Sequence, residues 1–217
     1  QELRVIELAD WNTAFRLNPY QFGGGGAAGL MWMRMVGMND KFEPQPQMVD
    51  RYTVSPDKLT YTFVLRPGLK WHDGQPVTAA DCVASIQRWA SRDSMGQTLA
   101  KFMTSLEATD ANTIKMVLRE PYGLVLDSLG KIGAPVPFMM PERIAKTPGS
   151  EQVKEIIGSG PYKFRADQHE PGVKIVLEKF ADYKPRSEPP NWVSGAKIAK
   201  MDKVEMLGMP DAQTQVS

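Results

Sequence analysis

The succession of patterns along the chain predicts a mixed α/β fold: an α/β unit with a smaller α+β subdomain inserted into it. Three observations point there. Leu3-Arg-Val-Ile-Glu-Leu8 is a short, largely apolar run of the kind that fills a central sheet position. Lys203 to Met209 reads as a final strand that completes whatever unit the first begins. Between them lie several hairpins with interspersed helices rather than a regular strand–helix alternation.

Each element has its own signal. Asp10 to Phe22 reads as a loop, with Leu17-Asn18-Pro19 as a breaker. Gly23 to Gly26 leads into Ala27 to Met35, expected as a helix with a Met- and Trp-rich face. Pro44 and Pro46 mark another loop. Met48 to Val54 and Leu59 to Leu65 form a hairpin around Ser55-Pro-Asp-Lys58. A helix over Ala79 to Arg92 and a shorter one over Met95 to Met103 follow. Leu106 to Thr109 and Thr113 to Leu118 pair through Asp110-Ala-Asn112. Tyr122 to Leu129 has helical spacing, with Pro121 at its start, where a missing N–H costs little. Pro135, Pro137 and Pro141 impose extended structure before a helix from Glu142. Pro161 to Ala166 and Val173 to Phe180 make a third hairpin around His169-Glu-Pro-Gly172, and Tyr183 to Gly195 is an irregular connection.

The densest signal runs from Lys58 to Asp81. Thr60, Thr62 and Val64 share one strand face and Tyr61, Phe63 and Leu65 the other, the period of two that a sheet requires. Arg66-Pro67-Gly68 ends that strand, because Pro lacks the ladder N–H and Gly accepts a positive φ. Asp73-Gly74 is a further turn. Thr78-Ala-Ala-Asp81 resembles a capping box with Asp in the usual Glu/Gln place. On the helix it opens, Cys82, Ile86, Trp89 and Ala90 fall on one inward stripe.

With 42% of its 217 residues hydrophobic, the chain has ample material for a sizeable core. Its 26 Lys and Arg against 25 acids give a net charge of +1, without the basic excess that nucleic acid or an anionic membrane surface favours. No apolar run approaches the ~18 residues needed to cross a bilayer. The longest apolar patch, Gly29 to Val36, is interrupted by Arg34. The one cysteine, Cys82, allows neither an internal disulfide nor a Cys-rich metal site. Gln1-Glu2 opens without a basic and apolar leader, so the expectation is of a secretion signal already removed. Nothing at position 1 supports a lipoprotein anchor.

The Lys58–Asp81 run strongly resembles the signature stretch of the large extracytoplasmic solute-binding proteins of bacterial ABC importers, family 5, which carry oligopeptides, dipeptides, nickel and related solutes. Four further stretches resemble the same family in the same order. They are Leu17-Asn18-Pro19, Gly158-Ser-Gly-Pro-Tyr-Lys-Phe164, Ile175 to Tyr183, and Met201-Asp-Lys-Val-Glu-Met-Leu-Gly-Met-Pro-Asp211. Two places depart from the family's pattern. Asp50-Arg51-Tyr52 stands where an acidic-Ser-Trp is usual, and Asp57-Lys58 replaces an Asp-Gly turn, removing Gly's easy positive φ.

The resemblance implies a type II periplasmic-binding-protein-like fold (cluster C): the first lobe of a two-lobed clamshell, ending before the second lobe. Residues 1–40 are then the first part of that lobe, 41–155 the inserted α+β subdomain, and 156–217 its continuation to the crossover. Asp211 to Ser217 reads as the start of a helix. The implied function is non-enzymatic: capture of a small, most readily peptide-like solute in the periplasm, or otherwise outside the cytoplasmic membrane, for delivery to an ABC permease. No cofactor, metal or nucleic acid is implied. A solute-sensing or chaperone-like binding protein of the same fold is the alternative. A hydrolase is the distant one, because no Gly-x-Ser-x-Gly nucleophile elbow exists.

Sharper readings of single motifs fall to simpler ones. Gly23–Gly26 ahead of a helix invites a phosphate cradle, yet no Lys-Ser/Thr follows and no G-x-G-x-x-G spacing supports a nucleotide. His72-Asp73 lacks a nucleophile and an oxyanion donor set, and His72 and His169 both sit in turns, where a ring caps local backbone. Asp73 and Asp81 have turn-forming and capping work. Trp71 and Trp89 read as packing. Aromatic and Met residues in loops around a Gly run suit an adaptable apolar ligand wall, and equally suit ordinary packing. The resemblance places Tyr20, Phe22, Gly25, Trp32 and Phe138 at the ligand cleft.

Overall fold

The computed structural model describes residues 2–7, 26–171 and 173–208. The chain runs through β1 (Glu2–Glu7), α1 (Gly26–Met31), β2 (Val36–Met38), β3 (Pro44–Pro46), β4 (Val49–Val54) and β5 (Thr60–Leu65). It continues through α2 (Ala79–Ala90), α3 (Ser94–Phe102), β6 (Met103–Ala108), β7 (Thr113–Leu118), α4 (Val125–Gly130) and α5 (Glu142–Ala145). It closes with β8 (Tyr162–Phe164), β9 (Lys174–Lys179) and β10 (Lys203–Gly208).

Two four-stranded sheets organise these elements, in the orders β1-β10-β9-β8 and β4-β5-β7-β6, with β2 and β3 as a separate ribbon. β1 and β10 pair in parallel, Leu3 opposite Val204 and Ile6 opposite Leu207, so the two ends of the described chain meet in one sheet. That is the closure expected of the first and last strands. The second sheet is antiparallel throughout.

Two apolar clusters form around the sheets. In one, Tyr61, Phe63 and Leu65 of β5 face Cys82, Ile86 and Trp89 of α2, together with Trp71, Leu99, Ile114 and Met116. Both the strand alternation and the helical stripe are therefore realised. The other gathers Met31, Trp32, Phe138, Tyr162, Ile175, Leu177, Val204 and Met206. Ala84, on another side of α2, belongs to this second cluster, so α2 lies between the two. Ile157 packs against both.

The structure departs from sequence expectation where backbone pairing is non-local. The helix expected over Ala27 to Met35 stops at Met31. Residues beyond it are extended because the N–H groups of Gln47 and Met48 donate to the Met35 and Arg34 carbonyls at 3.0 and 3.2 Å. Pro44 and Pro46, expected in a loop, form β3 opposite Met38 and Val36, in a two-stranded ribbon where a missing N–H is tolerated. The helix expected over Tyr122 to Leu129 is Val125–Gly130, and β6 starts at Met103 rather than Leu106. Lys58 takes φ 59° at its hairpin turn despite its side chain, a strain of about 1 kcal/mol or more. Asp57 holds that turn by accepting from Ser55 Oγ (2.5 Å) and Leu59 N–H (3.0 Å), and these bonds keep its carboxyl below the usual range. The loop and breaker of residues 10–22, and the helix start after Asp211, lie outside the described residues.

The Gly158-Ser-Gly160 motif has a steric basis. Gly160 N–H donates to the Met31 carbonyl at 2.8 Å. A Cβ on Gly160 would come 2.4 Å from the Leu30 carbonyl oxygen, and one on Gly158 would come 2.0 Å from that of Met31. Both neighbours are backbone and cannot swing away. Gly160→Ala is therefore expected to destabilise the fold by about 3 kcal/mol or more, measured by urea denaturation. A loss below about 1 kcal/mol would show that α1 and this strand entry are not locked together.

Candidate ligand-binding face

Helix α2 positions the segment that carries Phe138. Its N-cap is Thr78, and the reciprocal capping box with Asp81 is present. Asp81 does more than cap: it accepts from Trp71 Nε1 (3.1 Å) and, through its other oxygen, from Glu142 N–H (2.7 Å). Further along, Ser85 Oγ accepts from Met140 N–H (2.9 Å), and Trp89 Nε1 donates to the Pro135 carbonyl (2.9 Å). Residues 135–142 are thus tied to α2 at three points. On their other side, Met139 N–H donates to the Met33 carbonyl at 2.8 Å, bringing Phe138 alongside Trp32 and Arg34.

Trp32 and Phe138, both expected at a ligand cleft, do come together, with ring centroids 6.4 Å apart. They are 2% and 1% exposed, so in this arrangement they are apolar packing. Trp32 Nε1 donates to the Ile157 carbonyl at 3.0 Å, which satisfies the indole and fixes its plane. Tyr20, Phe22 and Gly25 lie outside the described residues.

Beside this pair stands a residue not proposed from the sequence as a site. Arg34 is 3% exposed. Its guanidinium lies 5.6 Å from the centre of the Phe138 ring and donates to the Lys131 carbonyl at 3.1 Å. Burial lowers its pKa to about 10. Lys197 is partly buried nearby, and its pKa falls to about 8, first through desolvation and then through repulsion by Arg34. The available signal was the single charge interrupting the apolar run from Gly29 to Val36.

The histidines have structural work. His72 Nδ1 accepts from Gly158 N–H at 3.2 Å and Nε2 donates to the Gly160 carbonyl at 3.1 Å, while His72 N–H donates to the Gly158 carbonyl at 2.9 Å. That pattern requires the neutral ring protonated on Nε2. Burial, the largest influence, lowers its pKa to about 4. His169 Nδ1 lies 2.9 Å from the Lys174 carbonyl across its own turn. Burial pushes the Cys82 thiol far up, as for an inert core side chain. Among the described residues, no cluster of His, Cys, Asp or Glu is arranged to hold a metal ion, and no helix is long and apolar enough to cross a membrane.

Residues 43–217 match the family described as bacterial extracellular solute-binding proteins, family 5, middle part. The chain belongs to this family. It is 45% identical over 185 residues to a probable peptide ABC transporter periplasmic-binding protein, y4tO, of Sinorhizobium fredii, covering 84% of this chain and 34% of that protein. It is 30% identical over 215 residues to the glutathione-binding protein GsiB of Pectobacterium atrosepticum, covering 97% and 39%. Two solved structures share the fold. DppA of Helicobacter pylori in complex with the peptide STSA superposes with a TM-score of 0.73 at 24% identity, covering 100% of this chain and 44% of that one. NikA of Brucella suis in complex with Fe(III)-EDTA gives 0.75 at 20% identity, covering 99% and 40%. The chain therefore spans 34–39% of the length of these two relatives.

Bonded to Gly158 and Gly160, His72 makes stability pH-dependent. The unfolded chain takes up the imidazole proton near pH 6.5, the folded chain only near pH 4. Lowering the pH between those values favours the unfolded state. The contribution is whole above pH 6.5 and is lost by about pH 4, on the order of 3 kcal/mol. His72→Gln is expected to be less stable at pH 7 and to lose less between pH 7 and 4 than the parent, by urea denaturation at each pH. Equal slopes would contradict a buried neutral ring.

Proposed function

We propose that the whole protein captures a small, peptide-like solute outside the cytoplasmic membrane and passes it to the permease of an ABC importer, without chemically altering it. The observation that carries this reading is the 45% identity to a relative named as a probable peptide ABC transporter periplasmic-binding protein. The glutathione-binding relative and the peptide complex that shares the fold point the same way. Residues 1–40 and 156–217 act as parts of one lobe, and 41–155 as the subdomain inserted into it. The parallel β1–β10 pairing supports that division, since it joins residues from both ends of the chain in one sheet.

The mechanism rests on differential binding. A two-lobed receptor exchanges between open and closed forms, and a solute that touches both lobes favours closure by the extra contacts it gains there. The closed form then docks on the permease. In this reading Tyr20, Phe22 and Gly25 meet the solute, while Trp32 and Phe138 form a rigid apolar floor of the cleft. Their burial and the Trp32–Ile157 bond support a floor rather than a mobile wall.

One lobe supplies only part of the contacts. The 217-residue chain is therefore expected to bind reduced glutathione or a short peptide far more weakly than the whole protein, by about tenfold or more. Isothermal titration of both forms against the same solute measures the difference. Equal affinities would refute the two-lobed grip.

A further inference from the structure

Phe42 and Trp192 are among the few large apolar side chains left exposed in the described residues, at 65% and 50%, and they meet. Their rings pack edge to face, with centroids 5.0 Å apart and planes inclined by 73°. Both residues hold a positive φ, 61° and 51°, which strains a bulky residue. The two turns that carry them are bonded to each other. Asp40 N–H donates to Asn191 Oδ1 at 2.8 Å, and Val193 N–H donates to the Met38 carbonyl at 3.2 Å. Within its own turn, Phe42 N–H donates to the Asn39 carbonyl at 3.0 Å. The fold thus holds in place two strained rings that remain open to solvent and add little to the core.

The rings line an open cleft of about 620 Å³ together with Asp40, Pro190 and Asn191. Asp40 is its charged member, and among the described residues its carboxylate has no hydrogen bond or ion pair. Arg186 lines an adjoining cavity that shares Pro190 and Asn191, but Glu188 and the Gln47 and Val49 carbonyls take its guanidinium. Among the described residues no Lys or Arg lies over either ring. Aromatic faces and a free carboxylate lining one cleft favour a cation. A neutral ligand would use the rings and desolvate the acid without a partner. A guanidinium satisfies both, because it is weakly hydrated, stacks flat on a ring and still donates in its plane to a carboxylate. We propose that Trp192, Phe42 and Asp40 form a binding site for the guanidinium group of a small alkylguanidine. The rings are its two walls, and Asp40 accepts its N–H groups. This site goes beyond the receptor reading above and does not depend on it.

The test uses the whole protein as wild type, Asp40→Asn and Trp192→Ala, titrated by NMR at constant ionic strength. Ethylguanidinium is the probe. Ethylurea is its neutral isostere, and tetramethylammonium is a cation without N–H groups. The Asn191 side-chain amide reports in all three proteins, and the Trp192 indole N–H in the two that retain it. Both substituted side chains are exposed, so the variants are expected to fold as the parent does. Ethylguanidinium is expected to shift both reporters to saturation while the buried Trp32 indole stays fixed. Trp192→Ala abolishes the saturating shift, and Asp40→Asn weakens binding by about threefold. Ethylurea and tetramethylammonium are expected to bind at least about threefold more weakly than ethylguanidinium. Equal binding of ethylurea would show a surface that does not use charge. Equal binding of tetramethylammonium would show that Asp40 accepts no hydrogen bond from the ligand. Either result overturns the proposal. So does a response that survives Trp192→Ala, which places the cation elsewhere. The absence of any saturating response would mean that the rest of the protein covers the two rings, and the proposal would fail while leaving the receptor reading intact.

Discussion

The contact on which the rest of the structure depends is backbone against backbone, where Gly158 and Gly160 lie on the end of α1. No side chain fits between them, because a Cβ at either glycine would meet a carbonyl oxygen at 2.0–2.4 Å. The two elements therefore approach as closely as main chains can, and Gly160 N–H bonds the Met31 carbonyl. From the other side, His72 closes on the same two glycines with its ring and its own N–H. One short segment thus joins α1, the turn after β5 and the entry to β8. Those elements belong to different apolar clusters, so the junction is where the two cores are made into one structure.

Helix α2 is the second link, and it works through polar groups rather than close approach. Its capping aspartate, a mid-helix serine and a tryptophan indole each hold one point of the 135–142 segment. That fixes Phe138 against Trp32 and under Arg34. Helix α2, itself in the first cluster, thereby positions a segment of the second.

Much of this was legible from residues alone, for definite reasons. The β5 faces follow from period-two alternation and the α2 stripe from helical spacing, because both patterns are local and each buries one side. Asp81 was readable as a cap, since its partner is three residues away. Legibility failed where the partner is distant. Residues 32–35 carry helix-compatible side chains, yet the carbonyls of Met33, Arg34 and Met35 are taken by the N–H groups of Met139, Met48 and Gln47, and extended backbone wins. Lys58 holds a turn conformation that its side chain opposes, because Asp57 organises the loop around it. Trp32 and Phe138 came to notice through resemblance. Their contact with each other depends on α2 bonds that no spacing reveals. Arg34 was visible as a charge in an apolar run, but the Lys131 carbonyl and Phe138 ring that receive it lie far along the chain.

The central claim is that the glycine junction is part of the cooperative core, not a surface contact between independently stable halves. Native-state hydrogen exchange followed by NMR tests it directly, at the Gly160 amide and the Trp32 indole N–H. Both should exchange only through the same opening that releases the central amides of β5 and β9. Exchange at either site orders of magnitude faster than in those strands would mean that the two cores open independently, and the account would be wrong.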